Sequence, residues 1–442
     1  MERKITAKLL EWKNDPNRKP LLLCGARQVG KTYTVLQFGR THYRNVAYFN
    51  FEFTKQVSEI FEKDLDTKRI VNSLSAFSGI DILEDDTLMI FDEVQACNRA
   101  LTALKYFREN DPRHHIIATG SLLGIALERE DFSFPVGNVN ILRMYPMDVE
   151  EFMRATGNER MAEGIRRSFS AKNKYDLHDK AMEIYRTYLT VGGLPEAVRR
   201  YKEGTDAQGV AAIHADIDAT YMGDMSKYVS KAEAVMIRAI WSSIPNQLVR
   251  ENKRFILRDV SEGARTREAG TPLSWLRAAG LVNRCGRVNT GKIPLDAYSE
   301  DSYFKLYMLD SGLLASKLGI PPKMIRSDSS SLDAYKGALA ENYVMQALKA
   351  NGVKSYYWAP SSKREVDFVF QDSDGNVVPV EVKSSSHVKS KSLYAFLEEY
   401  DIPFAVRVSS KNFGFEGGIF NVPLYAAFCL DKDICNIARD SN

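Results

Sequence analysis

The chain has 442 residues, too many for one ordinary core and enough for two or three domains. Its 60 basic and 57 acidic residues leave a formal charge of +3, which argues neither for nor against a polyanionic partner. The five cysteines are scattered with no zinc-type spacing, and no apolar run approaches the ~20 residues of a membrane helix, so zinc modules and membrane-spanning classes drop out.

The start, MERKITAKLLEWKNDPNRK, is charged throughout and does not read as a signal peptide; a cytoplasmic protein is expected. Lys19-Pro20 then leads into LLLC, a short apolar run bounded by glycine, which predicts a buried parallel strand. GARQVGKT follows, Gly25 to Thr32, in the spacing G-x-x-x-x-G-K-[ST]. The glycines Gly25 and Gly30 let the main chain wrap closely, so that N–H groups of Gly25, Ala26, Arg27, Gln28, Val29, Gly30, Lys31 and Thr32 cradle phosphates at a helix start. Lys31 would reach the β- and γ-phosphates, and the Thr32 hydroxyl would bind Mg²⁺. The helical pattern TYTVLQFGRTH completes the context that such a loop requires.

VAYFNFE, Val46 to Glu52, predicts a further strand. TLMIFDEVQ, Thr87 to Gln95, predicts one ending in Asp92-Glu93, where the Asp supports the metal and the Glu polarises an attacking water. HIIATGS, His115 to Ser121, ends in hydroxyls, which places Thr119 and Ser121 where a γ-phosphate would be sensed. Strands alternating with helices imply an open parallel sheet with ligand beyond the strand carboxyl ends. ATP with Mg²⁺ is the expected pair. His114 and His115 read as a strand entrance and not as a metal site; Arg99, Arg108, Arg113, Arg129 and Arg143 are all candidates for an arginine serving the transition state.

Around Tyr145-Pro146 the pattern turns helical, with MDVEEFMRATG, HDKAMEIYRTYLT and the corner VGGLPEAV, where Pro195 suits a first helical turn. From Arg250 to Lys292 there are ten basic and four acidic residues, a net +6. The helix LSWLRAAGLV and two strand-like segments, Leu281–Arg287 and Tyr303–Leu309, outline a winged helix whose basic surface could meet phosphates; a solvated face is the alternative.

VDFVFQDSDGNVVPVEVK, Val366 to Lys383, reads as a hairpin. A two-residue Asp-Gly loop would set Asp367 opposite Val382 and mix polar with apolar positions. A three-residue loop, Ser373-Asp374-Gly375, pairs Phe368 with Val380 and Asp367 with Glu381, with Lys383 on the same face. Directly opposed like charges destabilise a sheet, and a divalent cation would offset this. Glu341, on the predicted helix YKGALAENYVMQALKANG, offers a further ligand. The competing view is a solvated hairpin with an incidental Lys–Glu pair.

In combination, GARQVGKT, FDEVQ, ATGSLLG, VGGLPEAV, FKLYMLDSGLL, GALAENYV, EVDFVF, VEVKS and VPLYAA occur in the order of a widespread prokaryotic family. The chain resembles these proteins, which join an AAA-like P-loop ATPase to a C-terminal domain of uncharacterised function resembling PD-(D/E)xK nucleases. The resemblance implies Asp367, Glu381 and Lys383 as catalytic positions, with Glu341, Asp367 and Glu381 toward metal. Family members often carry Gly-Arg after the sensor strand, where this chain has Gly137-Asn138. The expected fold is α/β: an AAA-like parallel-sheet ATPase core over 1–145, a helical region over 146–245, a winged-helix-like region over 246–325 and a restriction-endonuclease-like α/β domain over 326–442. The expected activity is ATP hydrolysis coupled to a nuclease-like domain, with DNA as a candidate partner. The competing reading is a nucleotide-gated switch whose C-terminal domain is inactive and binds a protein partner or a second copy of the chain.

Overall fold

Each predicted apolar run of the first 145 residues is a strand, buried along its whole length except for the run that begins at Val46. The structure is a computed structural model and describes residues 1–127, 137–260, 270–326, 332–361, 363–384 and 390–434. Two compact units emerge: Glu2–Tyr145 with Ala278–Leu281, and Pro146–Arg277 with Val282–Asn442.

In the unit that holds the P-loop, β1 (Leu21–Cys24), β2 (Asn45–Asn50), β3 (Thr87–Asp92), β4 (His115–Thr119) and β5 (Asn140–Arg143) form one sheet in the order β2-β3-β4-β1-β5. Every neighbouring pair is parallel. β1, β3 and β4 are buried along their whole length, which is why they read as continuous apolar runs. Phe49, Phe51, Phe61 and Phe91 meet edge-on within one apolar cluster on this sheet. β5 has no such signature: it is a four-residue edge strand with alternating burial.

The other unit begins with helices between Val149 and Leu248. Pro195 opens the helix Pro195–Lys202 in its first turn, and Gly192, at φ +72°, closes the helix before it. An eight-stranded mixed sheet follows: β6 (Val282–Val288), β7 (Ser299–Met308), β8 (Ser355–Ser361), β9 (Arg364–Gln371), β10 (Val377–Val382), β11 (Ala405–Ser409), β12 (Gly414–Glu416) and β13 (Ile419–Pro423). Its order is β12-β13-β11-β10-β9-β8-β6-β7. The hairpin expected of a winged helix is thus the β6–β7 edge of the C-terminal sheet, because β6 pairs in parallel with β8 and draws both strands into it.

The motifs VGGLPEAV and FKLYMLDSGLL meet in a buried polar network. The Asp310 carboxylate accepts from Gly193 N at 2.6 Å and from Leu313 N at 2.9 Å, capping the helix Ser311–Lys317. Burial raises its carboxyl above the usual range, with His214 opposing. Gln346, on the helix Asp333–Ala350, accepts from Ser311 and donates to the Tyr188 hydroxyl, which donates to Met147 O. These buried polar groups are satisfied by hydrogen bonds to one another.

Candidate functional sites

At the carboxyl end of β1 the chain turns into the phosphate loop. Gly25 (φ +148°) and Gly30 (φ +93°) take backbone conformations that side chains resist, and a Cβ on Gly25 would stand 2.3 Å from Met144 O. Gln28, at φ +66°, shares the tight wrap, while Ala26 and Val29 are buried beneath it. The helix Lys31–His42 starts with no side-chain cap, leaving its first N–H groups available to an anion. Lys31 Nζ donates to Gly25 O at 2.9 Å and to Ala26 O at 2.8 Å. Burial lowers its pKa to about 8, against the opposing pull of Glu93, Cys24 and Asp92.

Asp92 ends β3 beside Thr32. Thr32 Oγ1 donates to Asp92 Oδ2 at 3.0 Å, Tyr48 donates to the same oxygen at 2.7 Å, and Thr119 donates to Oδ1. Glu93, at φ +50°, accepts on Oε2 from Gln95 Nε2 at 2.5 Å, Ser121 N at 3.2 Å and Ser121 Oγ at 3.1 Å. The sequence-predicted Lys31, Thr32, Asp92, Glu93, Thr119 and Ser121 therefore converge, with all three hydroxyl residues bonded to the acidic pair. The Thr32 and Asp92 oxygens suit a hard cation, so the residues fit Mg²⁺.

Of the candidate arginines, Arg143 lies opposite Cys24 at the carboxyl end of β5. Arg113 precedes β4 and is paired with Glu84 and Asp85, and Arg99 with Glu62. Arg108 lies in the helix Asn98–Asn110, and Arg129 lies outside the described residues. Three further contributors have no role in the sequence reading, although Gln95 ends the motif FDEVQ. Arg3 donates to Val29 O at 2.8 Å and to Tyr145 O at 2.7 Å, clamping the loop from behind. Gly280, at φ +74°, belongs to the short segment that returns to the P-loop; a Cβ there would lie 3.2 Å from Ala26 N. Gln95 packs on Gly120, where a Cβ would meet its Oε1 at 2.0 Å.

The second site lies on the C-terminal sheet. The hairpin has the predicted three-residue turn: Asp372 N donates to Asn376 O at 2.9 Å, Gly375 is left-handed at φ +86°, and Val377 to Val380 pair with Gln371 to Phe368. The ladder stops one pair short of Asp367 and Glu381, and Asp367 Oδ2 instead accepts from Val382 N at 2.8 Å. Strict strand alternation, which would set Val366, Phe368 and Phe370 on one face, also breaks. The β8–β9 register shifts, so that Val366 and Val369, three apart, share the cluster of Trp358 and Phe396, while the Phe368 ring meets Tyr307. A bulge of this kind re-aims a side chain.

Glu341 is buried. Its carboxylate accepts from Lys253 on Oε1 and from Tyr307 at 3.2 Å on Oε2, with Lys305 Nζ 3.6 Å from Oε2. Burial would raise this carboxyl, but Lys253, Lys305 and Tyr307 outweigh it and bring it to about 2. Asp367 moves the other way, to about 7, through burial and then the nearby charge of Glu341. Lys383 Nζ stands 3.2 Å from Glu381 Oε1. Glu381 Oε2 is buried without a hydrogen-bond partner among the described residues. No group of three or more His, Cys, Asp or Glu side chains placed to hold a metal occurs among the described residues.

The basic run also has a definite form on β6 and β7. The Arg254 and Arg287 guanidiniums lie 3.8 Å and 3.6 Å from the Tyr303 ring centre, and Arg287 also pairs with Glu300 at 2.6 Å. No described helix is long and apolar enough to cross a membrane.

Sheet order, phosphate loop and the Asp92–Glu93 strand end together define an AAA-like P-loop ATPase domain. A family model described as an AAA domain matches residues 17–153. Two further models, both described as domains of unknown function, match residues 182–324 (DUF8612) and 336–427 (DUF4143). Comparison with curated proteins gives no match. Among solved structures, the chain is similar to a Walker-type ATPase of Pyrococcus abyssi at 17% identity, covering 72% of this chain and 95% of that one with a TM-score of 0.45. It is also similar to the Aeropyrum pernix ORC2 protein, solved in ADPNP–ADP complexes, at 14% identity, with 73% and 92% covered and a TM-score of 0.32. The Aeropyrum pernix ORC1 protein in complex with DNA matches at 12% identity, with 73% and 92% covered and a TM-score of 0.27.

Proposed function

We propose that the protein binds and hydrolyses ATP and couples that cycle to a nuclease-like C-terminal unit that engages DNA. The observation that carries the ATPase reading is the convergence of Lys31, Thr32, Asp92 and Glu93 beyond the carboxyl ends of β1 and β3, the strands on either side of β4. The loop N–H groups and Lys31 bind the phosphates, and Thr32 with Asp92 would hold Mg²⁺, which neutralises phosphate charge when bound. Glu93 has one carboxylate oxygen fixed by Gln95 and Ser121, which orients the other to accept a proton from water. Thr119 and Ser121 report the nucleotide state through the acidic pair they bond. The experiment is nucleotide affinity of Lys31→Ala, expected to fall roughly a hundredfold; an unchanged affinity rejects the assignment.

The DNA reading rests on the net +6 run and on the Arg254–Tyr303–Arg287 stack, a cationic and aromatic surface suited to a phosphate backbone. Asp367, Glu381 and Lys383, with Glu341 as the helical acid, are the proposed centre at which a phosphodiester would be met. Binding to a short DNA duplex should weaken with salt and with Arg254→Ala; binding that responds to neither rejects this partner. A second reading, an inactive module that binds a protein partner or another copy of the chain, is favoured by one observation: Glu341 is already committed to Lys253 and Lys305.

A further inference from the structure

Two acids of the C-terminal centre, Glu341 and Glu381, are paired with ammonium groups. Lys253 bonds Glu341, running past Gly337 one turn earlier on the same helix. Lys383 pairs with Glu381. Lys305 is the most enclosed of the three, its side chain 1% exposed, with Nζ 2.7 Å from Glu365 Oε1 and 3.6 Å from Glu341 Oε2. The charge of Asp367 also acts on it, beside those of Glu341 and Glu365.

A lysine this deeply buried is tolerated only when paired on several sides. A divalent cation, in turn, needs several oxygens facing one point. The carboxylates supply the right donor chemistry, but the described arrangement does not fit a metal, because ammonium groups stand where the cation's charge would be.

We infer that Lys305, with Lys253 beside it, takes the place of a divalent cation in the C-terminal centre, which is therefore held together by internal ammonium groups and independent of metal. The inference rests on the nuclease-like reading for the identity of the acids. It leads to a different expectation for the unit: engagement of a polyanion through charge, without metal-dependent cleavage.

The test uses the full chain carrying Asp92→Asn, which removes the carboxylate that stands beside Thr32, without nucleotide. Mn²⁺ is titrated and followed by the electron paramagnetic resonance of the free ion and by melting temperature. The parent is expected to take up no stoichiometric Mn²⁺ and to melt unchanged. Lys305→Ala is expected to melt lower, to gain one Mn²⁺ per chain, and to recover melting temperature as it does so. Adding Asp367→Asn should abolish the gain. Lys253→Ala, nearer the surface, keeps the test alive if Lys305→Ala fails to fold, and should bind Mn²⁺ roughly tenfold or more tightly than the parent. One Mn²⁺ bound by the parent and lost on Asp367→Asn overturns the inference while upholding a metal-dependent nuclease centre. No gain in either lysine variant also overturns it. Failure of the DNA reading is seen separately, as salt-independent or absent binding of the duplex by the unmutated chain.

Discussion

Replacing Gly25 by alanine probes the phosphate loop by main-chain sterics alone. The new Cβ would stand 2.3 Å from Met144 O, in a backbone conformation of φ +148°. A carbon and a carbonyl oxygen settle at about 3.3 Å, so the two backbone segments must part by about 1 Å. No rotamer change relieves this, because both sides are backbone. Met144 is also tied to the loop's own strand: its N–H donates to Cys24 O at 2.8 Å, and Cys24 pairs with Arg143. The shift must therefore move the loop or open the β1–β5 ladder. The strained conformation adds about 1–3 kcal/mol. A phosphate site displaced by about 1 Å loses on the order of a hundredfold in function. Fluorescent-nucleotide titration with a parallel thermal melt measures both terms. Affinity within twofold of the parent, with an unchanged melt, would refute the reasoning that this approach sets the loop.

Because burial brings Lys31 to about 8, its positive charge is complete only below that pH. Nucleotide affinity should hold below it and fall as pH rises, by up to roughly tenfold per unit; a flat titration series from pH 7 to 9.5 would contradict this. Asp310→Ala leaves the buried Gly193 N–H unpaired and removes a helix cap, an expected loss of about 2–4 kcal/mol in urea unfolding of the C-terminal unit. A loss below about 0.5 kcal/mol would show that the two motifs are not joined through this carboxylate.

What the sequence reveals follows from how far apart the partners lie. β1, β3 and β4 are legible because full burial makes each a continuous apolar run, and the P-loop because its chemistry is contained in eight consecutive residues. The hairpin register is legible because a local turn sets it, and the observed pairs keep it from Gln371 to Phe368. The direction of each side chain is not, since the break between Val366 and Val369 comes from pairing with β8. The β6–β7 hairpin looks complete in sequence, and only its long-range pairing with β8 reveals which sheet it joins. Lys305 sits in FKLYMLD like any polar residue of an alternating strand; its acids come from a helix and a strand more than thirty residues away. Arg3 is one charge among many in a charged opening segment.

The measurement closest to the central proposal is steady-state phosphate release from Mg-ATP by the full chain and by Glu93→Gln. Glu93 is the group assigned to the attacking water, and the phosphate loop and Lys31 are left intact by its replacement. Release by the parent, a fall of roughly a hundredfold or more in the variant, and retained nucleotide affinity are the predicted results. Undiminished release by Glu93→Gln, or none by the parent despite bound ATP, would contradict the account.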